Sequence, residues 1–163
     1  MVEEIQECFP SVAATFVACD LASLASVVQG AKQFTLAADR LDVLMCNAGV
    51  MALPPGLTKD GYEVQFGTNH VGHALLIKLL LPTLLRTAER PGSAVRIVLN
   101  TSLGFKGAPR GGVRFEDLRT TQNCLCSVAG PWVRYGQSKL ANILYAAELG
   151  RRYPGITSVS IHP

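Results

Sequence analysis

A chain of 163 residues, 48% hydrophobic and 17% charged, can bury roughly 70% of the surface its unfolded form exposes, which excludes a disordered protein. Its 15 basic and 12 acidic residues leave a net charge of +3 with no dense Lys/Arg run, which excludes a nucleic-acid binder's electrostatic footprint. The longest apolar stretch, around Leu75 to Leu85, is broken by Lys78 and Pro82 short of the ~20 residues of a bilayer span, and the start at Glu3, Glu4 and Glu7 is unlike a secretory leader; no transmembrane segment and a cytoplasmic location are expected.

In chain order, Val2, Ile5, Gln6 and Phe9 have helical spacing, and Pro10 closes that run. Thr15 to Cys19 reads as a short β-rich segment, followed by a helical stretch at Ala22 to Phe34 and a second strand at Leu41 to Cys46. The next helix ends near Thr87 and carries Leu75, Leu76, Leu79, Leu80, Leu84 and Leu85. Strands follow at Ala94 to Asn100 and Ile156 to Ile161, on either side of a helix from about Trp132 to Arg152 that Pro154-Gly155 terminates. The βαβαβαβ alternation predicts an α/β fold, a parallel sheet joined by right-handed crossovers. One segment breaks the rhythm. From Leu103 to Pro131 the chain is rich in glycine and proline, with a local turn expected only at Phe115 to Leu118, and so long a connection is usually functional or mobile.

Cys8, Cys19 and Cys46 stand singly, and Cys124 and Cys126 make only a C-x-C. Five cysteines without a C-x-x-C pair argue against a disulfide framework and against zinc, leaving buried or loop thiols in a reducing compartment. His70, His73 and His162 have no accompanying carboxylate cluster, so no metal is expected. Met45 and Met51 read as packing groups.

In an open parallel sheet the ligand lies beyond the carboxyl ends of the strands. The residues there are Asp20, Asn47-Ala48-Gly49, Thr101-Ser102 and His162-Pro163. The third helix adds Tyr135-Gly-Gln-Ser-Lys139. At about 100° per residue, Tyr135 and Lys139 lie about 40° apart and off the stripe of Leu140, Ile143, Leu144 and Ala147. A phenol titrates near pH ~10, and proton transfer at neutral pH requires lowering that by about three units, or about 4 kcal/mol. A neighbouring ammonium favours the phenolate, but an exposed pair contributes only about 0 to 1 kcal/mol, so the constellation needs a low-dielectric cover, such as a bound cofactor.

These segments, taken in order, resemble the short-chain dehydrogenase/reductase family: Cys19-Asp-Leu21, Cys46-Asn-Ala-Gly49, Asn69-His-Val-Gly-His73, Arg96-Ile-Val-Leu-Asn-Thr-Ser102, Tyr135-Gly-Gln-Ser-Lys139 and Ile161-His-Pro163. Phe115-Glu-Asp-Leu118, and Trp132 ahead of the Tyr-Gly-Gln-Ser-Lys-Leu-Ala-Asn run, resemble the branch of retinol dehydrogenase-like proteins and uncharacterised fungal members. The resemblance implies a three-layer Rossmann-like sheet with helices on both faces, residues 1–163 forming a single partial NAD(P)-binding domain. It implies hydride transfer between NAD(P)(H) and an apolar carbonyl or alcohol. Tyr135 would be the general acid/base, Ser102 would hold the substrate oxygen, and Lys139 would lower the Tyr pKa and bind ribose. Asn69 would break its helix and hold a relay water. Asp20 and Leu21 would contact adenine, Asn47, Ala48 and Gly49 would form the cofactor-supporting turn, and Pro163 would complete the cofactor-binding set. Family members commonly form homo-oligomers through the helices around Asn69 and Tyr135.

Two features depart from the family pattern. The second strand ends in Cys46-Asn-Ala-Gly, where many members carry a second Asn. No T-G-x-x-x-G-x-G precedes Asp20, and the sequence stops at Pro163 where the family continues with a glycine and a last strand, so the first βαβ unit and the last strand are expected to be missing. The residue choosing between NAD and NADP follows a strand that has no counterpart here. Thr15 to Cys19, without its family neighbours, should either pair with Leu41 to Cys46 or stand apart. The alternative reading is a non-catalytic remnant or interaction module that keeps the fold without binding the dinucleotide.

Overall fold

A computed structural model describes residues 2–123 and 128–163; Cys124 and Cys126 lie outside the described residues. Helix α1 (Val2–Cys8) is followed by α2 (Leu24–Ala37), whose N-cap Ser23 accepts a hydrogen bond from Ser26 N. Three strands, β1 (Val43–Cys46), β2 (Arg96–Asn100) and β3 (Thr157–Ile161), make a parallel sheet in the order β1-β2-β3. Its register aligns Met45 with Val98 and Val159, and Cys46 with Leu99 and Ser160. The α/β class and the three later strands therefore stand where the apolar runs place them, each trimmed by one or two residues.

The expected strand at Thr15 to Cys19 is not formed. It enters no ladder among the described residues and stands apart, the second of the two outcomes above. A strand is stabilised by its neighbours, and the segment instead lies against α2, where a methyl on Gly30 would come within 3.1 Å of Ala18 O and Cys19 Cβ.

The helix that ends near Thr87 is longer than the leucine run suggests. It continues from α3 (Val64–Phe66) through a π turn at Gly67–Val71 into α4 (Gly72–Ala88), 25 residues in all. By length and composition it could cross a membrane, which the sequence reading of Leu75 to Leu85 missed because it stopped at the leucines. Its packing is that of a core helix: Ile77 and Leu84 are fully buried, and polar Gln65, Asn69 and His73 are buried along the same rod. Helix α5 (Gly130–Arg152) completes the cover.

Strand alternation separates the two faces of the sheet. Cys46, Ile97 and Leu99 point into the core with Ile77, Leu84, Ala146 and Leu149 from α4 and α5. Val43, Met45, Val159 and Ile161 point the other way and are exposed. The described helices that pack on the sheet thus cover one of its faces, where the resemblance implies helices on both. The long connection carries short 3₁₀ turns at Leu103–Gly107 and Phe115–Asp117, the latter at the expected place.

This asymmetry sets a stability contrast. Ile97→Ala should destabilise the chain by about 2 to 5 kcal/mol through cavity formation. Met45→Ala, at the same sheet but on the bare face, should change it by less than about 0.5 kcal/mol; urea unfolding of the two variants reads the difference.

Candidate active site

The carboxyl ends of the strands form a hollow of about 190 Å³ lined by Asn47, Gly49, Val50, Met51, Asn100, Thr101, Tyr135, Lys139 and Pro163. A larger apolar groove of about 610 Å³ runs along α4 and α5 past Ala74, Lys78, Tyr145 and Tyr153, but none of the expected catalytic residues lines it. Chemistry, not size, selects the smaller hollow.

Tyr135 and Lys139 are more enclosed than their position on the helical wheel implies: they are 9% and 5% exposed. The cover is the 3₁₀ turn after Ser102, pressed against α5 by two glycines. A Cβ on Gly104 would lie 2.8 Å from the Tyr135 ring, and one on Gly136 would lie 2.7 Å from Gly104 O. Ser102 caps this turn, accepting from Gly104 N at 3.1 Å, and its Oγ lies 3.5 Å from the point where that Gly104 Cβ would sit. The serine hydroxyl and the phenol ring thus flank the bare Cα of Gly104. Lys139 Nζ stands 5.4 Å from the centre of the Tyr135 ring and donates to Asn100 O at 3.1 Å. Burial holds this ammonium below its ordinary pKa.

Asn69 is fully buried in the π turn, which widens the helix rather than breaking it. Its Oδ1 accepts from Val50 N at 2.7 Å, and its Nδ2 donates to Val50 O at 2.8 Å and to Ser138 Oγ at 3.0 Å. Its carbonyl oxygen accepts from His73 Nδ1 at 3.0 Å and Asn142 Nδ2 at 3.2 Å.

The other expected residues divide into two groups. Asn47 accepts from Asn100 Nδ2, and the Gly49 Cα faces the space between two site atoms: a Cβ there would meet Asn69 Oδ1 at 3.0 Å and Lys139 Nζ at 3.5 Å. Ala48 is exposed in the same turn, and Pro163 closes the hollow. Asp20 and Leu21 do not line it. Asp20 lies by the turn at Lys59, its carboxyl held below the usual range first by the Ala22 N–H and then by Lys59, while the Leu21 carbonyl abuts the start of α4 at Gly72. Among the described residues no group of three His, Cys, Asp or Glu could hold a metal.

The residues missed in sequence are polar and buried. Arg134, beside Tyr135, approaches Glu63 Oε1 at 3.3 Å and donates to Leu53 O at 2.9 Å, with both side chains 1% exposed. Glu63 Oε2 accepts from Phe66 N at 2.7 Å. Gln137, inside the Tyr-Lys motif, accepts from Arg114 N at 2.9 Å and donates to Gln122 Oε1 at 2.9 Å, docking the long connection onto α5. Charged residues are normally expected outside, so only a partner search could have placed Glu63 and Arg134 inside.

Comparison with known proteins gives the family. A family model described as short chain dehydrogenase matches residues 1–112. The chain belongs to the short-chain dehydrogenase family. A Schizosaccharomyces pombe protein named uncharacterized oxidoreductase is 47% identical over 152 residues, covering 91% of this chain and 43% of that protein. Mouse retinol dehydrogenase 14 is 43% identical over 146 residues, covering 88% of this chain and 40% of that protein. The crystal structure of an uncharacterized protein from Mycobacterium paratuberculosis superposes with a TM-score of 0.73 at 31% identity, over 100% of this chain and 56% of that one. This dehydrogenase-family chain thus spans less than half the length of the two curated relatives.

Two outcomes follow from the buried polar groups of this dehydrogenase-family chain. Glu63→Gln should cost about 3 to 5 kcal/mol in urea unfolding, because it leaves a buried guanidinium uncompensated, and Glu63→Leu with Arg134→Met should cost less than the sum of the single changes. Burial lowers the pKa of His70 and His73 below 6.5. Below about pH 6.5 the unfolded chain therefore binds more protons than the folded one, and stability falls as pH drops through that range. Imidazole NMR titration should show both midpoints below that of free histidine.

Proposed function

We propose that the protein is an oxidoreductase of the short-chain dehydrogenase/reductase type, transferring hydride between NAD(P)(H) and a carbonyl or alcohol with an apolar body. The observation that carries this reading is the approach of the Lys139 ammonium and the Ser102 hydroxyl to the ring of Tyr135, with Tyr135 and Lys139 buried and lining the hollow at the carboxyl ends of parallel strands. The hollow's donor set suits the nicotinamide-ribose end of the cofactor. Lys139 uses one of its three protons on Asn100 O, leaving two for ribose hydroxyls, and Asn100 Oδ1 is a buried acceptor with no partner among the described residues. Gly49 keeps the approach to Lys139 free of a side chain.

When bound, the nicotinamide would supply the hydride to the carbonyl carbon, or take it from the alcohol carbon. Ser102 Oγ holds the substrate oxygen by donating to it. Tyr135 Oη gives its proton to that oxygen as the C–H bond forms, and takes it back in the oxidation. Lys139 favours the resulting phenolate, and its charge acts at low dielectric because the 3₁₀ turn shields the pair. We assign the protein to the cytoplasm, and a second copy of the chain as a partner on the apolar groove along α4 and α5.

A non-catalytic remnant or interaction module is the second reading. Titration of NADH and NADPH, followed by fluorescence, with a parallel carbonyl-reduction assay, separates the two. The dehydrogenase reading expects binding, with Tyr135→Phe losing about 10²- to 10⁴-fold in turnover while cofactor binding is kept. Absence of binding and turnover in the protein overturns it.

A further inference from the structure

We propose that Asn142 is a positioning residue for Lys139, fastening the two backbone carbonyls between which the lysine side chain is set. The assignment of this role to turnover rests on the dehydrogenase reading; the geometry stands without it. Asn142 is 1% exposed and lies three residues after Lys139 on α5. Its Nδ2 donates to Asn100 O at 3.0 Å and to Asn69 O at 3.2 Å. Asn100 O is the same oxygen that receives Lys139 Nζ at 3.1 Å. That carbonyl at the end of β2 is therefore shared between a fixed amide and a catalytic ammonium. The Asn69 carbonyl belongs to the π turn, so one side chain ties β2, the π turn and α5 at a single point.

The orientation of Asn142 follows from its partners. Both Nδ2 contacts are to carbonyl oxygens, which only accept, so Oδ1 must be the atom facing His70 Nδ1 at 3.0 Å. An amide oxygen also only accepts, which makes His70 the tautomer with hydrogen on Nδ1. His70 is in turn held by ring contacts, its centroid 5.1 Å from Phe66 and 5.5 Å from Tyr145. The order of support runs from the aromatic cage to His70, from His70 to the Asn142 amide, and from the amide to the carbonyl that meets Lys139. Leucine has nearly the shape of asparagine but neither donor nor acceptor, so Asn142→Leu would leave Asn69 O, Asn100 O and His70 Nδ1 each one partner short.

The test is made on the 163-residue chain with ¹³Cε-labelled lysine and ¹⁵N-labelled histidine. In the unaltered chain His70 should give the ¹⁵N signature of the Nδ1–H tautomer; an Nε2–H signature overturns the proposal without any variant. In Asn142→Leu, with the circular dichroism of the folded chain retained, the Lys139 titration midpoint should fall by about half a pH unit or more, since the ammonium loses a well-held acceptor. Asn142→Ser, which keeps one donor, should fall between the two and serves if the leucine variant does not fold. An unmoved Lys139 midpoint in either folded variant overturns the proposal. Turnover is read separately, with an expected drop of about tenfold in kcat at little change in KM for Asn142→Leu. A shifted midpoint in a protein without any turnover removes the dehydrogenase reading and keeps the positioning role; turnover with an unmoved midpoint does the reverse.

Discussion

The site depends on one buried asparagine. Asn69 sits where a helix widens by one residue, and its hydrogen bonds reach the loop leaving β1 at Val50, helix α4 at His73 and helix α5 at Ser138 and Asn142. Asn142 makes a second such junction beside it, joining α5 to the π turn and to the end of β2. With no solvent competing, each of these bonds must be made, because an unpaired donor or acceptor at this depth costs about 1 to 3 kcal/mol. The relative placement of Gly49, Tyr135 and Lys139 is a consequence of that requirement. The π turn is the backbone device that brings Asn69 to the junction.

Around this junction the chain repeats one principle, burial of polar groups beside the chemistry. Glu63 and Arg134 tie the start of the helical rod and the Leu53 loop to the residue before Tyr135. Gln137 ties down the connection from Arg114 to Gln122 two residues after it. The phenol is thereby flanked on both sides by fixed polar anchors, and glycines at 104 and 136 let the covering turn approach closely enough to shed water. Lys139, which its place on the helical wheel puts off the apolar stripe, is buried with Tyr135 beneath that turn.

Much of this was legible in the order of residues, and the exceptions share a cause. Leu41 to Cys46, Ala94 to Asn100 and Ile156 to Ile161 announced themselves because a buried parallel strand is a short apolar run with polar ends. Thr15 to Cys19 has the same local character yet forms no ladder, since pairing depends on a neighbour and not on the segment. Tyr135, Lys139 and Ser102 were readable from motif and spacing, and the hollow brings Tyr135 and Lys139 together. Asp20 and Leu21 lie apart from it. The roles of Asn142, Glu63 and Arg134 were invisible, because a buried polar residue is defined by partners 42 to 73 positions away in the chain. The π turn left no periodic trace in Gly67-Thr-Asn-His-Val71 for a similar reason: one added residue is a shift of phase, and only the parts on either side reveal it.

The bare side of the sheet has a consequence for how the chain behaves in a tube. Met45, Val159 and Ile161 leave an exposed apolar strip on that side, and Phe9 and Phe16 near the N-terminus are exposed as well. A net charge of only +3 gives weak mutual repulsion between molecules. The apolar surface most open to contact between molecules is thus a different one from the hollow that holds Tyr135 and Lys139.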